Sequence, residues 1–201
     1  MNIGNMYFVG RNYVEHAKEL NNEVPEKPLI FCKPLSSLSA DGNLILPTHS
    51  KEVHFEGEMV FKYSEKGDFF VSCGIDYTAR DVQSELKKKG WPWFEAKCFK
   101  GSTVLNTDFV KVGKEALEFL TIETYVNDKL RQKGSYSQTI FKIDFLFDYL
   151  NNIIGLREND VVFTGTPSGV GKVNDGDILK VLLKLEGKVI SKVISEVKAW
   201  K

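Results

Sequence analysis

The sequence predicts an α+β fold built mainly from strands. Three observations lead there. Short apolar or alternating runs, bounded by glycine, proline and turn pairs, outnumber segments with helical period. Strands and helices do not alternate regularly, which disfavours a doubly wound sheet. At 201 residues, with no internal repeat, low-complexity tract or linker, the chain fits a single domain over residues 1–201.

The elements follow in order. MYFVG is an apolar strand ending at Gly10. Tyr13, Val14, Ala17 and Leu20 recur at helical spacing, so a short helix runs over about residues 12–21. PLIFCKP is a strand stopped by Pro34, and an Asp-Gly turn at Asp41 precedes a strand closed by Pro47. HFEGEMVF, residues 54–61, reads as one strand. Its alternation puts His54, Glu56, Glu58 and Val60 on one face. FFVSCGIDY is the next strand. Thr78 and Asp81 form a T-x-x-D capping box for a helix closed by Lys87, Lys88, Lys89 and Gly90. Positive charge in a last turn suits the macrodipole, so the lysine run reads as a solvated face. WPW breaks the chain. Strands follow in VLNTDFV and FLTIETYVND, with Asn127-Asp128 as a turn before KLRQKG. IDFLFDYLNNIIG is an apolar helix with Asp144 as candidate cap and Gly155 as its stop. DVVFTG and the two halves of DILKVLLKLEGKVISKVISEVKAW are further strands.

Composition narrows the function. Lys plus Arg is 27 and Asp plus Glu is 27, which argues against a dedicated binder of nucleic acid or anionic membrane. Three cysteines with no CxxC pair suggest reduced thiols packed as small core residues in an intracellular protein. The first residues lack the pattern of a signal peptide, and no run approaches 18 apolar residues, so the cytoplasm is the expected compartment.

Several charged residues stand out. Glu56 and Glu58, two apart on one strand, lie roughly 7 Å apart and repel. Asp76 ends another strand. If the two strands are neighbours, the three carboxylates form an all-oxygen site of the kind hard divalent cations choose. The alternative is a solvated strand face. His16 and Glu19 share a helix face, as a general base and its orienting carboxylate would, or as a surface ion pair. Lys97 sits among apolar residues in WFEAKCF, either snorkelling to water or desolvated to hold an oxyanion. FTGTPSGVGK does not match a nucleotide-binding loop. It reads as a tight turn whose amides can approach a small anion.

Six motifs, GRNYVEHAKEL, IFCKP, HFEGE, DYTARDVQ, WPWFEAKCF and FTGTPSGVG, occur in the order and approximate spacing of the fumarylacetoacetate hydrolase superfamily. The chain resembles most its acylpyruvase and oxaloacetate decarboxylase branch. That resemblance implies a mixed β-sandwich roll, a homodimer, and Mg²⁺ or Mn²⁺ (Ca²⁺ as a substitute) held by Glu56, Glu58 and Asp76. It implies a catalytic dyad of His16 and Glu19 on a lid helix, a catalytic Lys97, and substrate contacts from Gln83 and Thr166. The implied reaction is C–C cleavage of a small 2,4-dioxo acid or oxaloacetate through a pyruvate enolate. Isomerisation or hydration of 2-hydroxy-dienedioates, and oxaloacetate keto–enol tautomerisation, are the implied alternatives. Cys98 stands where that branch commonly has a serine, and the stretch between Phe61 and Phe69 is short for it.

Overall fold

The computed structural model describes residues 3–19 and 23–200. Strands β1 (Met6–Gly10) and β2 (Leu29–Lys33) flank helix α1 (Val14–Glu19). Then come β3 (Leu44–Ile45), β4 (Val53–Phe55), β5 (Gly57–Lys62), β6 (Phe69–Asp76) and β7 (Thr78–Ala79), followed by helices α2 (Arg80–Lys89) and α3 (Phe94–Lys97). Strands β8 (Thr103–Leu105), β9 (Val110–Val112), β10 (Leu120–Val126) and β11 (Lys129–Ser135) lead to α4 (Ile143–Ile154). The remaining strands are β12 (Val161–Phe163), β13 (Gly171–Lys172), β14 (Ile178–Leu185) and β15 (Lys188–Lys198).

The strands form three sheets. The first runs β2-β1-β12-β5-β6-β8, with β9 also on β6, and it is mixed because β1 and β12 are parallel. The second runs β11-β10-β14-β15-β3, and the third β13-β4-β7. The first two sheets pack face to face. Phe61, Val71, Cys73 and Ile75 of the first meet Ile122, Val181, Leu183 and Val193 of the second in the main core. The opposite face of the first sheet carries a smaller cluster of Met6, Phe8, Val60, Val161 and Phe163. Both faces of β5 are therefore buried, which explains its apolar density. Gly74 on β6 admits the Phe163 ring, since a Cβ there would lie 2.6 Å from its edge.

The α+β class and most elements match the sequence reading. Asn127 and Asp128 both take positive φ, the geometry of a tight hairpin turn. Gly90 and Gly155 end their helices in the left-handed conformation. The structure corrects five local readings. Residues 54–61 are not one strand: the chain breaks at Glu56, β4 joins the third sheet and β5 the first. His54 leaves the shared row and pairs with Glu52 at 2.9 Å. The capping box is absent: Ala79 is the N-cap of α2, and Asp81 instead binds Ser50 and the Lys51 amide. Asp144 is not a cap either; α4 starts from Lys142, and Asp144 pairs with Lys114. Of the cysteines, Cys73 alone is fully buried, Cys98 is half-buried, and Cys32 is exposed on edge strand β2. Helix α1 ends its described part at Glu19; residues 20 and 21 of the expected helix lie outside the described residues.

Candidate active site

The register of the first sheet assembles the site. Glu58 pairs across to Gly74 on β6, so Asp76, two residues on, shares its face. The Asp76 amide donates to the Glu56 carbonyl at 2.9 Å, which holds the three acids together at the strand break. Glu56, Glu58 and Asp76 each offer a carboxylate oxygen, all within 4.8 Å of one another. All three are buried. The solvated-face alternative is thus removed by burial alone. A site of three buried carboxylate oxygens has the donor chemistry of a hard divalent cation.

Three buried or half-buried cations offset the acids. Lys97, carried by α3, donates to Glu56 at 2.7 Å, Asp76 at 2.6 Å and the Thr78 hydroxyl at 2.6 Å. Thr78 is missing from the helix cap because its oxygen serves this lysine. Lys33, from β2, reaches the other Asp76 oxygen at 2.8 Å and the Ser102 carbonyl at 2.7 Å. Arg80 bridges Glu56 at 2.5 Å and Gln83 at 2.8 Å. Burial would push Glu56 up, but Lys97, Arg80 and His16 outweigh it and hold its carboxyl well below the usual range. Among the described residues no cation forms an ion pair with Glu58, and Lys97 draws it down only through space. Burial, then Asp76 and Glu56, push it well above that range, and the Gly165 amide at 2.8 Å is its recorded donor. The repulsion visible in the sequence therefore concentrates on Glu58.

Helix α1 covers the cluster. His16 is buried, and its Nδ1 lies 3.2 Å from Glu19. Burial lowers the imidazole below its ordinary value, against the pull of Glu56 and Glu19. The second Glu19 oxygen accepts from the Gly169 amide at 2.9 Å. The glycine-rich turn thus aims amides at carboxylates of its own chain, Glu58 and Glu19. Thr166, in the same turn, is fixed by Gln132 at 2.7 Å and the Gly57 carbonyl at 2.9 Å.

His16, Glu56, Glu58, Asp76, Gln83, Lys97 and Thr166 line one cleft, with Glu19 behind His16. The sequence reading missed Lys33, Arg80, Arg11 and Lys87. Arg80 had a legible signal: a cation in the first turn of a helix opposes the macrodipole and needs a reason. Helical period also puts Arg80, Gln83 and Lys87 on one face, so Lys87 lines the cleft and leaves the solvated run.

Comparison with known proteins agrees with this geometry. The family described as fumarylacetoacetate (FAA) hydrolase C-terminal matches residues 5–194. Oxaloacetate tautomerase FAHD1, mitochondrial, of Mus musculus is 35% identical over 86% of this chain and 84% of its own. An oxaloacetate decarboxylase, mitochondrial, of Dictyostelium discoideum is 36% identical over 86% of this chain and 85% of its own. Among solved structures, fumarylpyruvate hydrolase from Pseudomonas aeruginosa, in complex with Mn²⁺ and pyruvate, superposes with a TM-score of 0.82. It is 28% identical and covers 98% of this chain and 91% of that one. With its sheets, its acidic cluster and these relatives in agreement, the chain belongs to the fumarylacetoacetate hydrolase family.

Proposed function

We propose that the chain is a metal-dependent enzyme acting on small 2-oxo acids with a carbonyl or carboxylate at C4, cleaving acylpyruvates or decarboxylating oxaloacetate. One observation carries this reading: three buried carboxylates, a buried lysine and a buried histidine face one cleft. Mg²⁺ or Mn²⁺, held by Glu56, Glu58 and Asp76, would supply a Lewis acid that draws charge toward the substrate's C2 oxygen. Ca²⁺ is a possible substitute.

The chain's own residues divide the remaining work. Asp76 and Glu56 outweigh the effect of burial and hold the Lys97 ammonium above its ordinary value. It stays charged, and with its three N–H groups held by Glu56, Asp76 and Thr78 its positive charge stabilises the enolate as the C3–C4 bond breaks. His16 stays neutral and takes a proton from the water that attacks C4 of an acylpyruvate, while Glu19 fixes its orientation. The bonding pair remains on C3 and is later protonated. Oxaloacetate loses C4 as carbon dioxide and needs no attacking water. Gln83, held by Arg80, and Thr166, held by Gln132, position the substrate.

A second reading is keto–enol tautomerisation of oxaloacetate, favoured by the names of the vertebrate relatives. It uses the same enolate: a C3–H bond is broken or formed as the proton moves, and no carbon–carbon bond is broken. Isomerisation of 2-hydroxy-dienedioates draws on the same chemistry. A panel of oxaloacetate, acetylpyruvate and a 2-hydroxy-2,4-dienedioate, assayed with Mg²⁺ and Mn²⁺, separates these. Calorimetry of Glu56→Gln, Glu58→Gln with Mg²⁺ tests the site, and wild-type affinity would refute it. His16→Ala should lower acylpyruvate kcat by about 10²–10⁴-fold, and an unchanged kcat removes His16 from the mechanism.

A single catalytic domain, a homodimer and a cytoplasmic location complete the proposal. The dimer rests on the family resemblance and is tested by sedimentation. The free thiols suit a reducing compartment, and no described helix is long and apolar enough to cross a membrane.

A further inference from the structure

Two cations at the cleft take no part in the chemistry above. Lys87 extends the Arg80–Gln83 stripe of α2 and lies roughly 10 Å further along the axis, at 1.5 Å per residue. Its neighbours Lys88 and Lys89 are exposed, while Lys87 is half-buried and lines the cleft. The Lys87 ammonium lies over the Trp93 ring, 5.2 Å from its centroid, which steadies it at the cleft wall. Arg11 follows the end of β1 and lines the same cleft. Its φ of 58° lies in the left-handed region that a non-glycine residue rarely enters, and such strain gathers at functional positions.

These two differ from the other cations of the cleft. Lys97 and Arg80 each reach a carboxylate. Among the described residues, neither Arg11 nor Lys87 has an acidic partner. Burial, then Arg11 and Arg80, push Lys87 down to about 8. An anion between them would relieve that mutual repulsion. A cleft lined both by clustered acids and by two cations outside any ion pair suits a ligand whose two ends differ.

We propose that Arg11 and Lys87 bind a second, distal carboxylate of the substrate, so that the site selects 2-oxo dicarboxylic acids over 2-oxo acids with neutral tails. This rests on the reading of the cleft as a 2-oxo acid site. Gln83, between Arg80 and Lys87, then lies at the middle of the bound molecule. Trp93 stacks against the ammonium and restricts it to that end.

The test compares wild type, Lys87→Met and Lys87→Arg, each with Mg²⁺, on oxaloacetate and acetylpyruvate. The ratio of kcat/KM for the two substrates should fall by about 10- to 100-fold in Lys87→Met, mainly through KM, because a hydrogen bond to a charged group is lost. Lys87→Arg should recover most of that ratio. Equal losses on both substrates, or a ratio within twofold of wild type, would overturn the proposal. Tryptophan fluorescence adds a binding readout independent of turnover, with oxaloacetate and pyruvate as probes. Lys87-dependent oxaloacetate binding without turnover of any substrate would sustain the clamp and sink the proposed chemistry. Equal affinity of wild type for the two probes would sink the clamp.

Discussion

Glu58 and His16 show how burial decides chemistry at the scale of one side chain. Glu58 is buried beside two acids with one recorded amide donor, whereas Glu56 keeps two cations. Two residues apart in sequence, they are pushed in opposite directions. His16 is pushed down by burial, so as the proposed base it is neutral through the physiological range. The acid limb of kcat/KM should therefore have its midpoint below the ordinary 6.5 of histidine. Activity falls as pH drops through that midpoint and stays level above it. Glu19 pulls His16 upward, so Glu19→Gln should move the midpoint further down in a pH–rate profile. Lys33 is as buried as the acids, and Asp76 depends on it. Lys33→Met should destabilise the fold by about 3 kcal/mol, the low end for a broken buried pair, since Lys97 still covers one Asp76 oxygen. Urea denaturation measures this. His16, Glu56, Glu58, Asp76 and Lys97 were legible as candidates from residue type and spacing, and the family resemblance singled them out from their plainer alternatives. Lys33 and Lys87 were not. A lysine before a proline, or in a helix's last turn, has an ordinary local reason to be there, and its partner is set by packing from elsewhere in the chain.

At the scale of elements, the alternation in residues 54–61 was real, but its reading as one strand was not. Period two reports which face a residue takes, not whether the strand stays in one sheet. The break at Glu56 follows from pairings with β13 and β7 on one side and with β6 and β12 on the other. Two of those partners, β12 and β13, come from the last quarter of the chain, so no local pattern announces them. The glycine-rich turn was legible as a turn and as a source of amides. What it faces was not. Gly169 has a φ of 100°, and a Cβ there would collide with the Arg131 carbonyl. Gly169→Ala should displace the turn and its amide from Glu19. Because small misplacements near a reacting centre are costly, kcat should drop by up to about 10²-fold. Mg²⁺ affinity, measured by calorimetry, should fall less than kcat, since of the three acids only Glu58 is held by this turn, through the Gly165 amide.

At the scale of the whole molecule, the fold class was legible because strand runs and turn residues are dense and local. The sheet order was not, as β12 inserts between β1 and β5 from more than half the chain away. That insertion brings the glycine-rich turn over the acids. Sheet, turn and helix α1 therefore meet at one small volume, where burial and two neighbouring acids disfavour the charged form of Glu58. A bound divalent cation should stabilise the native state against an unfolded chain with no preformed site. At about 100-fold excess over Kd the gain is about 2.7 kcal/mol. For a chain of this size that raises Tm by roughly 5–10 °C. Differential scanning fluorimetry with Mg²⁺ and then EDTA should show the rise and its reversal, and Glu58→Gln should abolish both.

The two-sided grip of Glu19 has a consequence for idle turnover. One oxygen steadies the imidazole, while the other is anchored by the Gly169 amide. An outward swing of this helix breaks the Gly169 contact, while His16 and Glu19, both carried by the helix, move away together. A gaping cleft would then flood with solvent at the moment its base is withdrawn, so reactive enol intermediates meet no proton carrier until the cover is back in place.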